Sequence, residues 1–304
     1  MSAQLIDGIA VSAEIRAELV ERVARLRAKG CDPGLAFVIV GENPASISYV
    51  RSKARACDEV GLTNRTITLP DTVSQDELLD AVRGLNVDPQ WSGMIVQLPL
   101  PKQIEANVVA LTIDVEKDAD AMHPYNVGRM LIGMDGPKSC TPNGIAELLV
   151  RTGNDPSGKH VVIVGRSNIV GKPLAAILIQ KAHGANATIT VCHTGTADVG
   201  YHTRQADIVV AAAGVPNAIT ADMVRPGAVV IDVGNNRVPD PTRKSGMRMV
   251  GDVDFDAVKE VASWITPVPG GVGPMTVTML MANTVAAAER ATGLQHGRSL
   301  RSAG

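Results

Sequence analysis

His160-Val-Val-Ile-Val164, followed at once by Gly165-Arg-Ser-Asn-Ile-Val-Gly171-Lys-Pro173, is the stretch that decides how this chain folds. A short apolar run closed by glycine reads as a buried strand, and the run from Lys172 to His183 reads as the helix that follows it. Strand, glycine turn and helix N-terminus together aim backbone N–H groups at one point, where an anion is favoured. The spacing departs from Gly-x-Gly-x-x-Gly, because Ser167 stands at the second glycine and the last glycine is shifted. Taken alone, the loop reads more readily as a simple tight turn. Its surroundings favour a dinucleotide cradle. Ala187–Cys192, Asp207–Ala213 and Ala228–Val233 are further apolar strands, the last two closed by Gly214 and Gly234. Strands about 20 to 30 residues apart, separated by helical stretches, are the pattern of a doubly wound nucleotide fold.

The end of the second strand addresses which dinucleotide. A site for NAD wants a carboxylate there for the ribose hydroxyls. This chain offers Cys192-His193-Thr194-Gly195-Thr196 instead and places Arg166 in the glycine loop. Arginine with threonine and histidine suits the 2′-phosphate of NADP. The alternative is that Arg166 is a solvated loop cation.

Upstream, the first half alternates in the same way. Leu35–Val40 reads as a buried parallel strand, Ser46–Val60 as a helix stopped at Gly61, and Arg65–Leu69 as a strand. Ser74–Leu85 opens with a helix-starting Ser/Asp/Glu turn, and Gly93–Leu98 is a strand halted by prolines. This predicts an α/β protein of two domains, each with a parallel sheet. Tyr49 and Lys53 are four residues apart and share a helix face. They read either as a site or as a half-buried ring beside a snorkelling lysine. Gln97 lies at the C-terminal end of a strand, where open α/β sheets bind ligands, though glutamine there also serves as a plain hydrogen-bonder. Lys117-Asp-Ala-Asp120-Ala-Met-His123-Pro124 supplies two carboxylates and a histidine, as a capped turn or a metal site.

The chain has 304 residues, 45% hydrophobic and 20% charged, enough for two cores without staples. Its 29 basic residues against 31 acidic leave a net charge of -2, which argues against nucleic acid or a membrane surface as partner. Aromatics make up 2%, too few for a base-stacking platform. The four cysteines are far apart, with no C-x-x-C and no metal-ligand spacing, so reduced thiols and no metal are expected. No signal peptide or membrane span is readable, and a soluble, cytoplasmic protein is expected.

Together the motifs closely resemble those of the bifunctional methylenetetrahydrofolate dehydrogenase/methenyltetrahydrofolate cyclohydrolase family. They are Tyr49-Val-Arg-Ser-Lys53, Val96-Gln-Leu-Pro-Leu-Pro101, Lys117-Asp-Ala-Asp120, His123-Pro-Tyr-Asn-Val-Gly-Arg129, Cys140-Thr-Pro-Asn-Gly144, the loop 165–173, and Thr266-Pro-Val-Pro-Gly-Gly-Val-Gly-Pro-Met-Thr276. The resemblance runs from about Leu5 to about Thr292 and is specific because the motifs occur jointly and in order.

That resemblance implies a folate-binding catalytic domain from residues 1–140 plus 275–296, a Rossmann-type NADP domain at 141–274, a cleft between them, and a disordered tail at 297–304. It implies a homodimer joined through the NADP domain, and the activities of an oxidoreductase and a hydrolase in one-carbon folate metabolism serving purine biosynthesis. Lys53 would be the central catalytic residue, with Tyr49 stacking near the folate and Gln97 and Asp120 holding Lys53 and the pterin. Pro269, Gly270 and Gly271 would face the folate. Gly165, Arg166, Ser167, His193, Thr194, Gly214 and Ile231 would form the NADP site. A monofunctional NADP-dependent dehydrogenase and a non-catalytic NADP-binding protein are the rival readings. Two residues depart from the family pattern: Ala121 where glycine is usual, and Val115 where proline is frequent. Ala121 adds one methyl group and is expected to be tolerated, since it is strained only at positive φ.

Overall fold

The structure is a computed structural model that describes residues 2–243 and 246–294. The tail expected at 297–304 lies outside the described residues. From the N-terminus the chain forms β1 (Gln4–Leu5), α1 (Gly8–Ala28), β2 (Gly34–Val40), α2 (Pro44–Val60), β3 (Thr63–Leu69), α3 (Gln75–Val87) and β4 (Gly93–Val96). Three helices follow: α4 (Ala106–Thr112), α5 (Pro124–Leu131) and α6 (Cys140–Arg151). Next come β5 (His160–Val164), α7 (Gly171–Leu178), β6 (Thr188–Cys192), α8 (Val199–Thr203), β7 (Ile208–Ala211) and β8 (Val229–Asp232). The chain closes with β9 (Asn236–Pro239), β10 (Met247–Val250), α9 (Phe255–Val258), β11 (Trp264–Ile265) and α10 (Val272–Ala291).

Two compact units result. One comprises residues 13–130, 134–140 and the chain from Val277 onward; the other comprises the chain up to Ser12, 131–133 and 141–276. The first unit carries a parallel three-stranded sheet in the order β3-β2-β4. Its central strand β2 is buried along its whole length, as a strand covered on both faces must be, which is why it reads as an unbroken apolar run. Leu78, Leu79, Val82 and Leu85 of α3 pack on it with Ile104 and Val109. Helix α10 is tied to α1 in this unit: Arg22 grips Glu289 through two bonds of 3.0 and 2.6 Å, and Arg16 donates to Thr278 Oγ1 at 3.0 Å.

The second unit carries a six-stranded parallel sheet ordered β1-β11-β8-β7-β5-β6. The chain runs from β5 outward to β6, then returns to the other side of β5 with β7 and β8. The topological switch therefore lies between β5 and β7, where doubly wound sheets hold their ligands. Residues up to Ser12, assigned from sequence to the catalytic domain, group by contact with this unit. The reason is pairing: β1 adds to β11 in parallel, Gln4 opposite Trp264 and Leu5 opposite Ile265. Helix α7 also ends at Leu178, short of the expected His183. There Asn186 N–H bonds Gln180 O at 2.8 Å and Ala187 N–H bonds Leu178 O at 3.0 Å, turning the chain back toward β6.

Candidate active site

In the unit built on the three-stranded sheet, Asn43 starts α2. Its side-chain oxygen accepts from Ala45 N–H at 3.0 Å and Ser46 N–H at 3.2 Å, with Pro44 in the first turn. One turn apart on the same face stand Tyr49 and Lys53, with the Lys53 Nζ 4.8 Å from the centre of the Tyr49 ring. Lys53 is only 5% exposed. Its Nζ donates to Gln97 Oε1 at 3.1 Å. The other end of that amide donates to Leu98 O at 2.7 Å, so Gln97 presents an acceptor, not a donor, to the lysine.

Asp120 reaches this site by a backbone route the sequence did not display. Residues 117–119 run beside β4: Met94 N–H bonds Lys117 O at 2.8 Å, and Met94 and Asp118 form a parallel bridge. Asp118, fully enclosed, accepts from Met122 N–H at 3.1 Å, His123 N–H at 2.8 Å and Asn126 Nδ2 at 3.0 Å. Its lone pairs thus build the turn and start α5, the capped-turn alternative for this motif. The turn places Ala121 at φ 55 with its methyl enclosed (1% exposed). That overturns the expectation of an unstrained alanine: this is the left-handed conformation that glycine adopts without penalty.

Electrostatics follow from enclosure. Burial pulls the Lys53 amine below its ordinary range, while the nearby Asp120 charge pushes the other way. Burial pushes the Tyr49 phenol up, and Asp120 adds to it. Two thiols flank the lysine. Burial raises Cys57 to about 12 and holds Cys140 well above its ordinary value. Both remain neutral, so among these neighbours it is the Asp120 charge that favours the ammonium against burial. Sequence reading treated Cys140 as a structural thiol. It touches Ala119 O at 3.5 Å and Asn283 Nδ2 at 3.6 Å, and its only sequence signal was the motif Cys140–Gly144.

The other unit holds the expected dinucleotide residues. Gly165 leaves β5 at φ 140, and a Cβ there would lie 2.1 Å from Ala212 O. A Cβ on Gly171 would lie 2.1 Å from Gly165 O, so the loop closes only with glycine at both places. Arg166 and Ser167 are exposed, and the Ser167 hydroxyl accepts from Val170 N–H at 3.1 Å. Helix α7 begins without a side-chain cap, which leaves its N-terminus suited to phosphate. At the end of β6, His193 Nδ1 accepts from Gly195 N–H at 3.0 Å. Thr194 is exposed beside it. This glycine cradle with an arginine, hydroxyls and an imidazole fits a phosphorylated dinucleotide. Ile231 is fully enclosed in β8, where it packs at the strand end beside Asp232. The Pro269-Gly270-Gly271 turn belongs to this unit, not to the one that holds Lys53.

Comparison with known proteins agrees with both halves. The sequence model of the tetrahydrofolate dehydrogenase/cyclohydrolase catalytic domain matches residues 6–120, and that of the NAD(P)-binding domain matches residues 139–292. A bifunctional protein FolD from Prosthecochloris aestuarii is 56% identical over 284 residues, 92% of this chain and 96% of its own. The crystal structure of the bifunctional FolD dehydrogenase/cyclohydrolase from Campylobacter jejuni superposes with a TM-score of 0.89 at 45% identity, covering 95% of this chain and all of its own. The Trypanosoma brucei N5,N10-methylenetetrahydrofolate dehydrogenase-cyclohydrolase, solved with NADP and an inhibitor, gives a TM-score of 0.89 at 42% identity over 96% of this chain and 99% of its own. With both domain models matched in order and relatives above half identity along nearly its whole length, this chain belongs to the tetrahydrofolate dehydrogenase/cyclohydrolase family.

Proposed function

We propose that this chain oxidises 5,10-methylenetetrahydrofolate to the 5,10-methenyl cation with NADP and then hydrolyses that cation to 10-formyltetrahydrofolate. The observation that carries the reading is the buried Lys53 amine on Gln97 Oε1, in a chain that also builds a dinucleotide cradle. NADP, held by Arg166, Ser167, His193 and Thr194 at the ends of β5 and β6, supplies the hydride acceptor. The carbon between N5 and N10 loses hydride readily because both nitrogens stabilise the cation, so the protein's task in this step is alignment. Tyr49 offers its ring face to the folate, and Gln97 and Asp120 offer polar groups to the pterin.

Hydrolysis asks for proton handling. Water adds its oxygen to the methenyl carbon and sheds a proton, for which the neutral Lys53 amine is the acceptor. The C–N5 bond then breaks as the new hydroxyl collapses to the formyl C=O and gives its proton to solvent, while N5 takes a proton from the Lys53 ammonium. Burial serves this chemistry, because a fully exposed lysine would be almost entirely protonated at neutral pH.

The single test follows NADPH and methenyltetrahydrofolate together, starting from the methylene substrate. Appearance of NADPH with decay of the methenyl absorbance supports both activities. NADPH with persistent methenyl product supports a dehydrogenase alone, and neither signal overturns the reading. The product is an activated formyl group, which suits a supply role in purine biosynthesis. Homodimerisation through the dinucleotide unit and a cytoplasmic location complete the proposal. The open edge of the sheet at β6 supports the first, and the absence of pairing among the four thiols supports the second. Sedimentation tests the dimer.

A further inference from the structure

Two buried acids in the dinucleotide unit have no part in the chemistry above. Asp252 is fully enclosed and Asp232 is 2% exposed. Their hydrogen-bond donors are all neutral, and each sits at a turn where the chain leaves a strand. Asp252 Oδ2 accepts from Gly214 N–H at 2.7 Å, at the end of β7, and its Oδ1 accepts from Asn236 Nδ2 at 2.8 Å, after β8. Asp232 Oδ1 accepts from Gly234 N–H at 2.9 Å and from Asp252 N–H at 2.8 Å, and its Oδ2 accepts from Val253 N–H at 3.1 Å. Asp232 N–H in turn donates to Thr266 Oγ1 at 2.7 Å, at the entry to the 267–271 turn. The carboxylates fill the space that side chains would need. A Cβ on Gly251 would lie 1.7 Å from Asp232 Oδ2, and one on Gly234 would lie 2.5 Å from Asp252 Oδ1.

Burying two carboxylates beside each other without a cation is a poor way to gain stability. What it provides is geometry, since each carboxylate oxygen is spent on fixing a donor at a strand-end turn. In this sheet the switch between β5 and β7 divides the ligand. Arg166 and Thr194 stand at β5 and β6, on the side of the adenosine half. The ends of β7 and β8 are left for the second mononucleotide.

We infer that Asp252, backed by Asp232, is a positioning residue for the nicotinamide half of the dinucleotide. It acts by holding the Gly214 and Gly234–Asn236 turns at the ends of β7 and β8. The inference rests on the NADP reading above. Asp252→Asn keeps the shape but offers one acceptor where two donors converge, and turns an N–H₂ against one of them.

The experiment compares full-length wild type and D252N by calorimetry with two probes, NADP and adenosine 2′,5′-bisphosphate, which is the adenosine half alone. Both turnovers and the unfolding midpoint are measured on the same preparations. Loss of one charged-acceptor bond predicts NADP binding weaker by about 10- to 100-fold. Adenosine 2′,5′-bisphosphate binding should change by less than about twofold, and the ratio of dehydrogenase to cyclohydrolase turnover should fall about tenfold or more. Equal weakening of both probes, parallel loss of both turnovers with a lowered midpoint, or no change in either probe would each overturn the inference. Should D252N not fold, Asn236→Ala removes the donor to Asp252 Oδ1 and leaves Gly214 bonded. The same ordering is expected at about three- to tenfold, and a uniform effect on both probes would overturn the inference equally. Failure of the wild type itself to bind either probe would instead overturn the NADP reading.

Discussion

Replacing Lys53 by methionine separates the two reactions, because they ask different things of one side chain. Met keeps the length and apolar stem and deletes the amine. The structure assigns that amine one hydrogen bond, 3.1 Å to Gln97 Oε1, and a ring contact with Tyr49. If positioning were its whole role, the loss would amount to one charge-assisted bond, about 1.5–3 kcal/mol or roughly 10- to 150-fold, in both half-reactions. A general acid/base adds its own factor of about 10²–10⁴ to hydrolysis alone. Cyclohydrolase turnover is therefore expected to fall further than dehydrogenase turnover by a factor of about 10²–10⁴. The variant should not be less stable. Burial holds the folded amine below its ordinary value, so the fold favours the neutral form. That contribution is fully present above the unfolded pKa of about 10.4 and is lost as pH falls through the lowered folded value. At neutral pH the wild type carries the penalty and K53M does not, so the urea midpoint of the variant should equal or exceed that of the wild type. The assay measures each half-reaction at saturating folate and NADP, with urea melts alongside. Parallel losses in the two turnovers, or an undisturbed cyclohydrolase, would refute the acid/base role. A midpoint well below wild type would refute the account of the buried amine.

Arg166→Ala is expected to weaken NADP binding by about 1.5–3 kcal/mol and to leave NAD binding nearly unchanged, if its guanidinium meets the 2′-phosphate. Equal losses for both dinucleotides, read by calorimetry, would place Arg166 on a group common to them. Ala121→Gly relieves about 1–2 kcal/mol of left-handed strain. Opposing this are about 0.4–1 kcal/mol of unfolded-chain entropy and about 0.8 kcal/mol for the enclosed methyl, so urea melts should place the variant within about 1 kcal/mol of wild type. Ala121→Val, β-branched at φ 55, should cost more than about 2 kcal/mol, and a neutral valine would remove the strain argument. Burial raises the Asp232 carboxyl to about 6. The fold thus favours its acid form, and this contribution is present below about pH 4 and lost as pH rises through about 6. Carboxyl-carbon NMR should show Asp232 titrating near that value, and a midpoint below 4 would contradict the burial argument.

Much of this protein was legible as one-dimensional pattern. The β5–loop–α7 segment declares itself because a fully buried parallel strand must be an apolar run and its turn must be glycine. The central strand β2 is readable for the same reason. Tyr49 and Lys53 share a face because helical spacing is local, and Gln97 falls at a strand end because Pro99 stops the strand. Helix α1 also carries a local signal, the helical spacing of Val11, Ile15, Leu19, Val23 and Leu26, all buried.

Contacts between distant segments were decided only by the tertiary structure. The sequence holds nothing that says β1 pairs with β11, because a strand of two residues has no periodicity of its own. Nor does it say that residues 117–119 run beside β4 and so carry Asp120 toward the amine, or that Cys140 lies against that site. The positive φ of Ala121 is imposed by Asp118 binding three donors at once. Nothing local in the sequence marks Asp232 and Asp252, to which the fold brings five neutral donors. Patterns record what each residue needs from its immediate neighbours along the chain. Desolvation and hydrogen-bond geometry depend on which segments the fold brings together, and these govern the lysine's protonation and the shape of the strand ends.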